Sequence, residues 1–390
     1  MELDGFLRRA VDVGASDLHL KEGSPPVARI DGRLEALTGF VPLQTRDLET
    51  ALRALTSSDH DGLASARELE VAYQPTGLPR FRVNVFRQRG MLSFAFRVIP
   101  AHIPSLDELG LPAGVKRLAD EHHGFILVTG ATGSGKTTTL AAMVDHMNRS
   151  RKQHIVTIED PIEIVHRDHG CIVSQREIGL DTQSFNEALR MALRQDPDII
   201  LIGELRDNET AQTALHAAES GHLVLSTMHT TDAAETIGRL IEFFPPGKQQ
   251  QVRSILAGVL RGVVSQRLLP AIGGGRVAAV EVMVTNARIA DLIRDDRPDQ
   301  IPQAIAKGTF FQMQTFTQAL IDLVVAGRVD REIAASAATN RHDFDIALEH
   351  ALKRHAAGLS RHDDDVPAED DGPRTRELRP HLAEARAGER

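Results

Sequence analysis

Gly130-Ala131-Thr132-Gly133-Ser134-Gly135-Lys136-Thr137 reads G-x-x-x-x-G-K-T, the spacing of a phosphate-binding P-loop, and it continues into Thr138. The spelling has a physical reason. Glycines let successive backbone N–H groups turn inward on phosphate oxygens, Lys136 supplies a mobile positive charge, and the Thr137 hydroxyl can hold Mg²⁺. Phe125-Ile126-Leu127-Val128-Thr129 is a short apolar run suited to a buried strand, and Thr137 to Met147 reads as a helix. That strand, loop and helix order is the context the motif requires, and a glycine-rich turn without a ligand needs neither flank.

Downstream, strand-like runs recur at His154 to Glu159, Ile199 to Gly203 and Leu223 to His229. Helix-like stretches at Phe185 to Arg194 and Asn208 to Ser220 separate them, so a mainly parallel sheet between helices is expected. Two of these strands end in acids. Asp198-Ile199-Ile200-Leu201-Ile202-Gly203-Glu204 would carry Glu204 to the phosphate edge beside Thr137, with the look of a Walker B element. Thr157-Ile158-Glu159-Asp160-Pro161-Ile162-Glu163 ends a buried strand in carboxylates, with Pro161 forcing the chain out of the sheet. Glu163 is then a candidate general base on water, and Asp160 a residue that orients the turn. Isolated carboxylates are more often caps or solvated charges, but strand carboxyl ends are where such sheets place their sites.

His222 and His229 bracket the apolar run Leu223 to Met228. His229 is read as a hydrogen-bond donor to the γ-phosphate, and His222 as acting through neighbouring acids. Shared metal ligation is excluded, since each strand residue advances about 3.3 Å.

Upstream, Leu3 to Val13 has helical apolar spacing, Ser16 to Leu20 alternates as a strand, and Asp31-Gly32 has the composition of a tight hairpin turn. Thr45 to Leu55 looks helical. Leu69 to Tyr73, Phe81 to Gln88 and Leu92 to Ile99 alternate, so the first 100 residues or so are expected to form an α+β unit with an antiparallel sheet solvated on one face. Pro100 to Pro112 contains three prolines and reads as a connector, residues 101–112. Residues 113–357 follow as the P-loop unit, largely helical after Ala233 apart from a strand at Arg276 to Val284. Residues 358–390 are charged and proline-broken and are expected to be disordered.

The formal charge is −9 over 390 residues, so no global basic field advertises nucleic acid. No apolar stretch is long enough to span a bilayer, and Met1-Glu2-Leu3-Asp4 lacks the basic-to-apolar order of a leader, so a soluble cytoplasmic protein is expected. Cys171 is the single cysteine, which excludes an internal disulfide and a cysteine-rich zinc site.

Taken together with the P-loop, Ala15-Ser16-Asp17-Leu18-His19-Leu20, Arg80-Phe81-Arg82-Val83-Asn84, Glu159 to Glu163, Gly203-Glu204-Leu205-Arg206-Asp207 and His229-Thr230 are more telling than any one of them. Over roughly residues 1–352 the sequence resembles the secretion-type traffic ATPases of the type IV pilus, and among them the retraction members. The resemblance implies a PAS-like N-terminal domain, a RecA-like α/β core and a homohexameric ring that binds ATP between the two domains. It implies phosphate and Mg²⁺ contacts for Lys136 and Thr137, water activation for Glu163, the Walker B role for Glu204, and a histidine box of His222 and His229. Arg82 and Arg97, by themselves ordinary solvated sheet charges, match arginines expected to approach ATP. The implied partners are an inner-membrane pilus platform protein at the cytoplasmic face and a paralogous pilus ATPase. The signature A-I-R-N-L-I-R-E of retraction members appears as Arg288-Ile289-Ala290-Asp291-Leu292-Ile293-Arg294-Asp295, with Ala290 in place of an arginine and Asp291 in place of an asparagine. Two alternatives stay open: an extension or secretion ATPase, whose members carry a longer N-terminal region and a four-cysteine zinc element, and a weakly hydrolysing regulatory subunit. A helicase-like translocase shares the core but needs a basic strand-tracking channel.

Overall fold

The N-terminal helix α1 (Leu3–Asp12) buries Leu3, Phe6, Leu7 and Ala10, one stripe at helical spacing. It lies against a sheet made of β1 (Asp17–Lys21), β2 (Val27–Ile30), β3 (Arg33–Ala36), β4 (Glu68–Tyr73), β5 (Phe81–Gln88) and β6 (Met91–Val98), with α2 (Thr45–Thr56) inserted after β3. The spatial order is β3-β2-β1-β6-β5-β4, and every pairing is antiparallel. The computed structural model describes residues 3–30, 32–56, 68–99 and 102–356. The hairpin expected at Asp31-Gly32 closes with Ile30 opposite Arg33 and Gly32 at φ 81°, while Asp31 lies outside the described residues. The expected tail, residues 358–390, also lies outside them.

Alternation gives this first sheet two chemically different faces. Phe81, Val83 and Val85 of β5 join Leu18, Leu20, Phe94 and Phe96 in one buried cluster. On the opposite face the register sets Arg97 between Asp17 of β1 and Arg82 of β5. Two arginines directly across adjacent strands repel, so each needs an acid of its own.

The second sheet begins after a short helix, α3 (Ala113–Ala119), with β7 (Gly124–Thr129), every residue of which is buried. It continues through α4 (Lys136–Ser150), β8 (His154–Glu159), β9 (Ile172–Glu177), α5 (Phe185–Ala192), β10 (Ile199–Ile202), α6 (Asn208–Glu219), β11 (Leu223–Met228), α7 (Ala233–Glu242), α8 (Pro246–Val259), β12 (Leu260–Pro270) and β13 (Arg276–Val284). The order is β13-β12-β7-β11-β10-β8-β9, parallel throughout except for the β12–β13 hairpin. Helix starts are set locally: Ser184, Asp207 and Asp232 each accept a hydrogen bond from a first-turn N–H of α5, α6 and α7. Asp207, inside the Gly203 to Asp207 stretch, is therefore a helix cap.

Two strands depart from the reading of the sequence. β12 follows α8 with no intervening turn and lies in a stretch expected to be helical, yet it pairs with the P-loop strand β7 over Leu260 to Ser265. β9 was not expected at all, and it forms the edge beside β8. The helices α9 (Ala287–Arg294), α10 (Ile301–Ala306), α11 (Phe316–Val325), α12 (Arg331–Ala337) and α13 (Arg341–Ala356) complete the chain. Phe316, Leu320, Phe344 and Leu348 pack there with Leu269 of β12 and with Val277 and Ala279 of β13, in a cluster separate from the main core.

Candidate active site

Because β7, β8, β10 and β11 run parallel, their carboxyl ends meet at one edge of the sheet. The P-loop leaves β7 there. Gly130 sits at φ 141°, and a Cβ on it would lie 2.5 Å from the Gln266 carbonyl oxygen and 2.6 Å from Ser134 Oγ, so only glycine fits. Gly135 at φ 92° starts α4 with no side-chain cap, leaving first-turn N–H groups directed at the loop. Lys136 is nearly buried, and its ammonium donates to the carbonyls of Gly130 at 2.8 Å and Ala131 at 3.0 Å. Burial holds it below the usual lysine value, against the pull of Glu204 and Glu163. Ser134 Oγ is buried and has no protein partner.

A cleft of about 570 Å³ opens over this loop. Thr132, Gly133, Gly135, Lys136, Thr137 and Thr138 form its floor. Glu159, Asp160 and Glu163 come from the end of β8, Glu204 from just beyond β10, and His229 from just beyond β11. Glu204 pairs with Arg206 and lies 3.4 Å from His229 Nε2. Thr137 and Glu204 thus face one space, as the donor set for Mg²⁺ requires: a hydroxyl and an acid that acts directly or through water. Among the described residues no three His, Cys, Asp or Glu side chains converge as a metal site of their own.

The N-terminal sheet supplies the opposite wall. Arg97 reaches the cleft while its Nε donates to Asp17 Oδ1 at 3.0 Å. Burial alone would raise the Asp17 carboxyl, but the Ser16 hydroxyl and Arg97 hold it below the ordinary range. Arg82 does not line the cleft; its guanidinium is on Glu70 and its Nη1 lies 4.0 Å from Glu163 Oε1. The hydrogen bond to Glu70 pushes this guanidinium up further.

His222 is not brought to the site. It precedes β11, so the strand holds it about 20 Å from His229, at the far end of the sheet. There its Nδ1 lies 2.9 Å from the Ala217 carbonyl oxygen, and its own carbonyl accepts from Gly124 N–H. Within this chain His222 therefore does not line the cleft.

Other residues line the cleft without having been anticipated. Leu268 and Arg276 come from β12 and β13, which only tertiary pairing brings beside the P-loop. His166 lines it too, its ring pushed by burial to about 4 and hence neutral at pH 7. Glu159, one of the anticipated strand-end acids, is half-buried; desolvation raises its carboxyl, and it accepts hydrogen bonds from Thr157 at 2.7 Å and Gln175 at 3.0 Å.

The family described as type II/IV secretion system protein matches residues 91–273, from β6 past β12. The type IV pilus retraction ATPase PilT of Pseudomonas aeruginosa is 44% identical over 345 residues, covering 88% of this chain and all of PilT. The chain belongs to the family of secretion ATPases that contains PilT. The type IV pilus ATPase PilU of the same organism is 40% identical, over 92% of this chain and 94% of PilU. A crystal structure of the pilus retraction motor PilT with bound ADP superposes with a TM-score of 0.82 at 43% identity, covering 88% of this chain and 98% of that one. In this chain the P-loop, the strand-end acids and Arg97 share one cleft. Among the described residues no helix is long and apolar enough to cross a membrane.

Proposed function

We propose that this chain is the Mg²⁺-dependent ATPase motor that retracts a type IV pilus, working as a homohexamer at the cytoplasmic face of the inner membrane. The observation that carries the reading is a cleft with walls from two sheets, the P-loop and acids from one and Arg97 from the other, in a chain alignable with PilT along all of PilT's length. Nucleotide held there touches both bodies, so loss of the γ-phosphate changes what holds them together. The proposed divisions are residues 1–100, the connector 101–112 and the ATPase unit 113–357. A platform protein and a paralogous pilus ATPase are the proposed partners.

The chemistry follows from the side chains. Lys136 exchanges its two loop carbonyls for phosphate oxygens, which needs no backbone movement. Glu163 accepts a proton from the attacking water, and Arg97 and Arg82 meet the charge that develops on the transferred phosphoryl. His229, beside Glu204, donates to the same phosphate and ties its position to that acid. Thr137 and Glu204 would hold Mg²⁺, which when bound would supply neutralisation of phosphate charge.

One feature favours a second reading as a motor subunit of the PilU kind. At the positions of the retraction signature Ala290 is buried and Arg294 is bound to Asp291 at 2.7 Å, so α9 presents less free positive charge than the signature does. Purified full-length Lys136→Ala tests the nucleotide site: it should lose ATP turnover, and an undiminished rate would falsify the assignment.

A further inference from the structure

Glu163 hangs on a turn, residues 160–163, that leaves the sheet after β8, and a general base on a turn must be held in place. The holding group is on the neighbouring strand. Glu177 ends β9 directly opposite Glu159, and its Oε2 accepts hydrogen bonds from Arg80 Nη2 at 2.8 Å and from the Ile162 N–H at 3.3 Å. One carboxylate oxygen therefore joins the N-terminal sheet to the residue next to Glu163. The strand end that carries this side chain is anchored through its backbone, because Glu177 N–H donates to Asp181 at 2.8 Å and Ile178 N–H donates to the Glu159 carbonyl at 2.9 Å. Arg80 is fixed from its side as well, its carbonyl accepting from Ile99 N–H at 2.8 Å.

Arg80 immediately precedes β5 and Arg82 is the second residue of that strand, and their side chains reach the acids Glu177 and Glu163. Arg82 reaches toward Glu163, and Arg80 reaches Ile162 through Glu177. The seam where Glu70, Arg80, Arg82, Pro161, Ile162 and Glu177 meet has about 10 Å³ of free space, no more than one water occupies.

We propose that Glu177 is a positioning residue for ATP hydrolysis: with Arg80 it clamps the turn that carries Glu163 to the N-terminal sheet, so that the base is placed only when the two bodies are docked. The inference rests on the reading of Glu163 as the base. It also assigns a role to a partly buried ion pair outside the lining of the nucleotide cleft.

The test uses the purified full-length chain, ATP and a fluorescent ADP analogue. Glu177→Gln and Arg80→Met should each lower kcat by about 10- to 100-fold, while KM for ATP and the affinity for the ADP analogue stay within about twofold. The double variant should fall no further than either single one, and Arg80→Lys should recover most of the rate. Unchanged kcat, additive losses, or a rise in KM at constant kcat would overturn the proposal. Amide hydrogen exchange at Ile162 gives a readout free of turnover: it should quicken in Arg80→Met, and exchange equal to wild type contradicts the clamp. Glu163→Gln in the same assays separates the two readings, because a turnover rate within twofold of wild type in that variant rejects Glu163 as the base whatever Ile162 does, whereas a lost rate beside unchanged Ile162 exchange in Arg80→Met rejects only the clamp.

Discussion

Replacing Gly130 and Gly133 by alanine, one at a time, separates the two jobs that glycine does in the loop. At Gly130 the backbone is at φ 141°, and the new methyl meets a carbonyl oxygen of β12 at 2.5 Å and Ser134 Oγ at 2.6 Å. The carbonyl belongs to Gln266, within the β12–β13 ladder, and cannot retreat without disturbing that pairing. Backbone strain of about 1–3 kcal/mol and overpacking of about 1–3 kcal/mol together predict a loss of roughly 2–6 kcal/mol. At Gly133 the angle is φ 78° and nothing lies within 4 Å, so only the left-handed cost of about 1–2 kcal/mol remains. Its methyl instead projects from the floor of the cleft, where phosphate must approach the backbone. Urea unfolding without nucleotide should show a large drop in midpoint for Gly130→Ala and a small one for Gly133→Ala, at equal slope. ADP affinity should fall for Gly133→Ala despite its near-native stability. Equal midpoints for the two variants, or unaltered ADP affinity in Gly133→Ala, would refute the reasoning.

Two further expectations concern single carboxyls. Glu163→Gln removes the proton acceptor and should cut kcat by about 10²- to 10⁴-fold with ADP binding retained, so a turnover rate within twofold of wild type rejects its role as base. Glu281 of β13 is buried against the start of α7, where it accepts from Ala233 N–H at 3.0 Å, and burial pushes it up to about 7 from an ordinary 4.5. A carboxyl raised on folding is penalised when charged, so stability from this group is full below pH 4.5 and falls as pH rises through 7, by roughly 3 kcal/mol in all. Glu281→Gln should therefore gain on wild type between pH 5 and pH 8 in unfolding midpoint; parallel curves would contradict the burial argument.

The central strands were legible because each signal was local. A five-residue apolar run, the glycine spacing and the Lys136-Thr137 pair specify strand, loop and helix without reference to the rest of the chain. Alternation did the same for β5 and β6, where Arg82 and Arg97 fall on the face away from Phe81 and Phe96. β12 was illegible for the opposite reason. Leu260-Arg261-Gly262-Val263-Val264 continues α8 without a turn residue, and a fully buried apolar run has no period that tells strand from helix. With β12 missed, so were Leu268 and Arg276 as walls of the cleft. Glu177 lay in an edge strand with only two apolar residues, and its partner Arg80 is 97 residues away. His222 stands at the amino end of its parallel strand, away from the carboxyl ends that form the cleft, so its place relative to the P-loop was legible only once the strand order was known.

The account claims that hydrolysis at this cleft shortens pili, and live imaging tests that most directly. In a strain whose only copy of this chain carries Glu163→Gln, fluorescently labelled surface pili should extend and persist without shortening, while the wild-type copy restores retraction. Pili that shorten at the normal rate in the Glu163→Gln strain would contradict it.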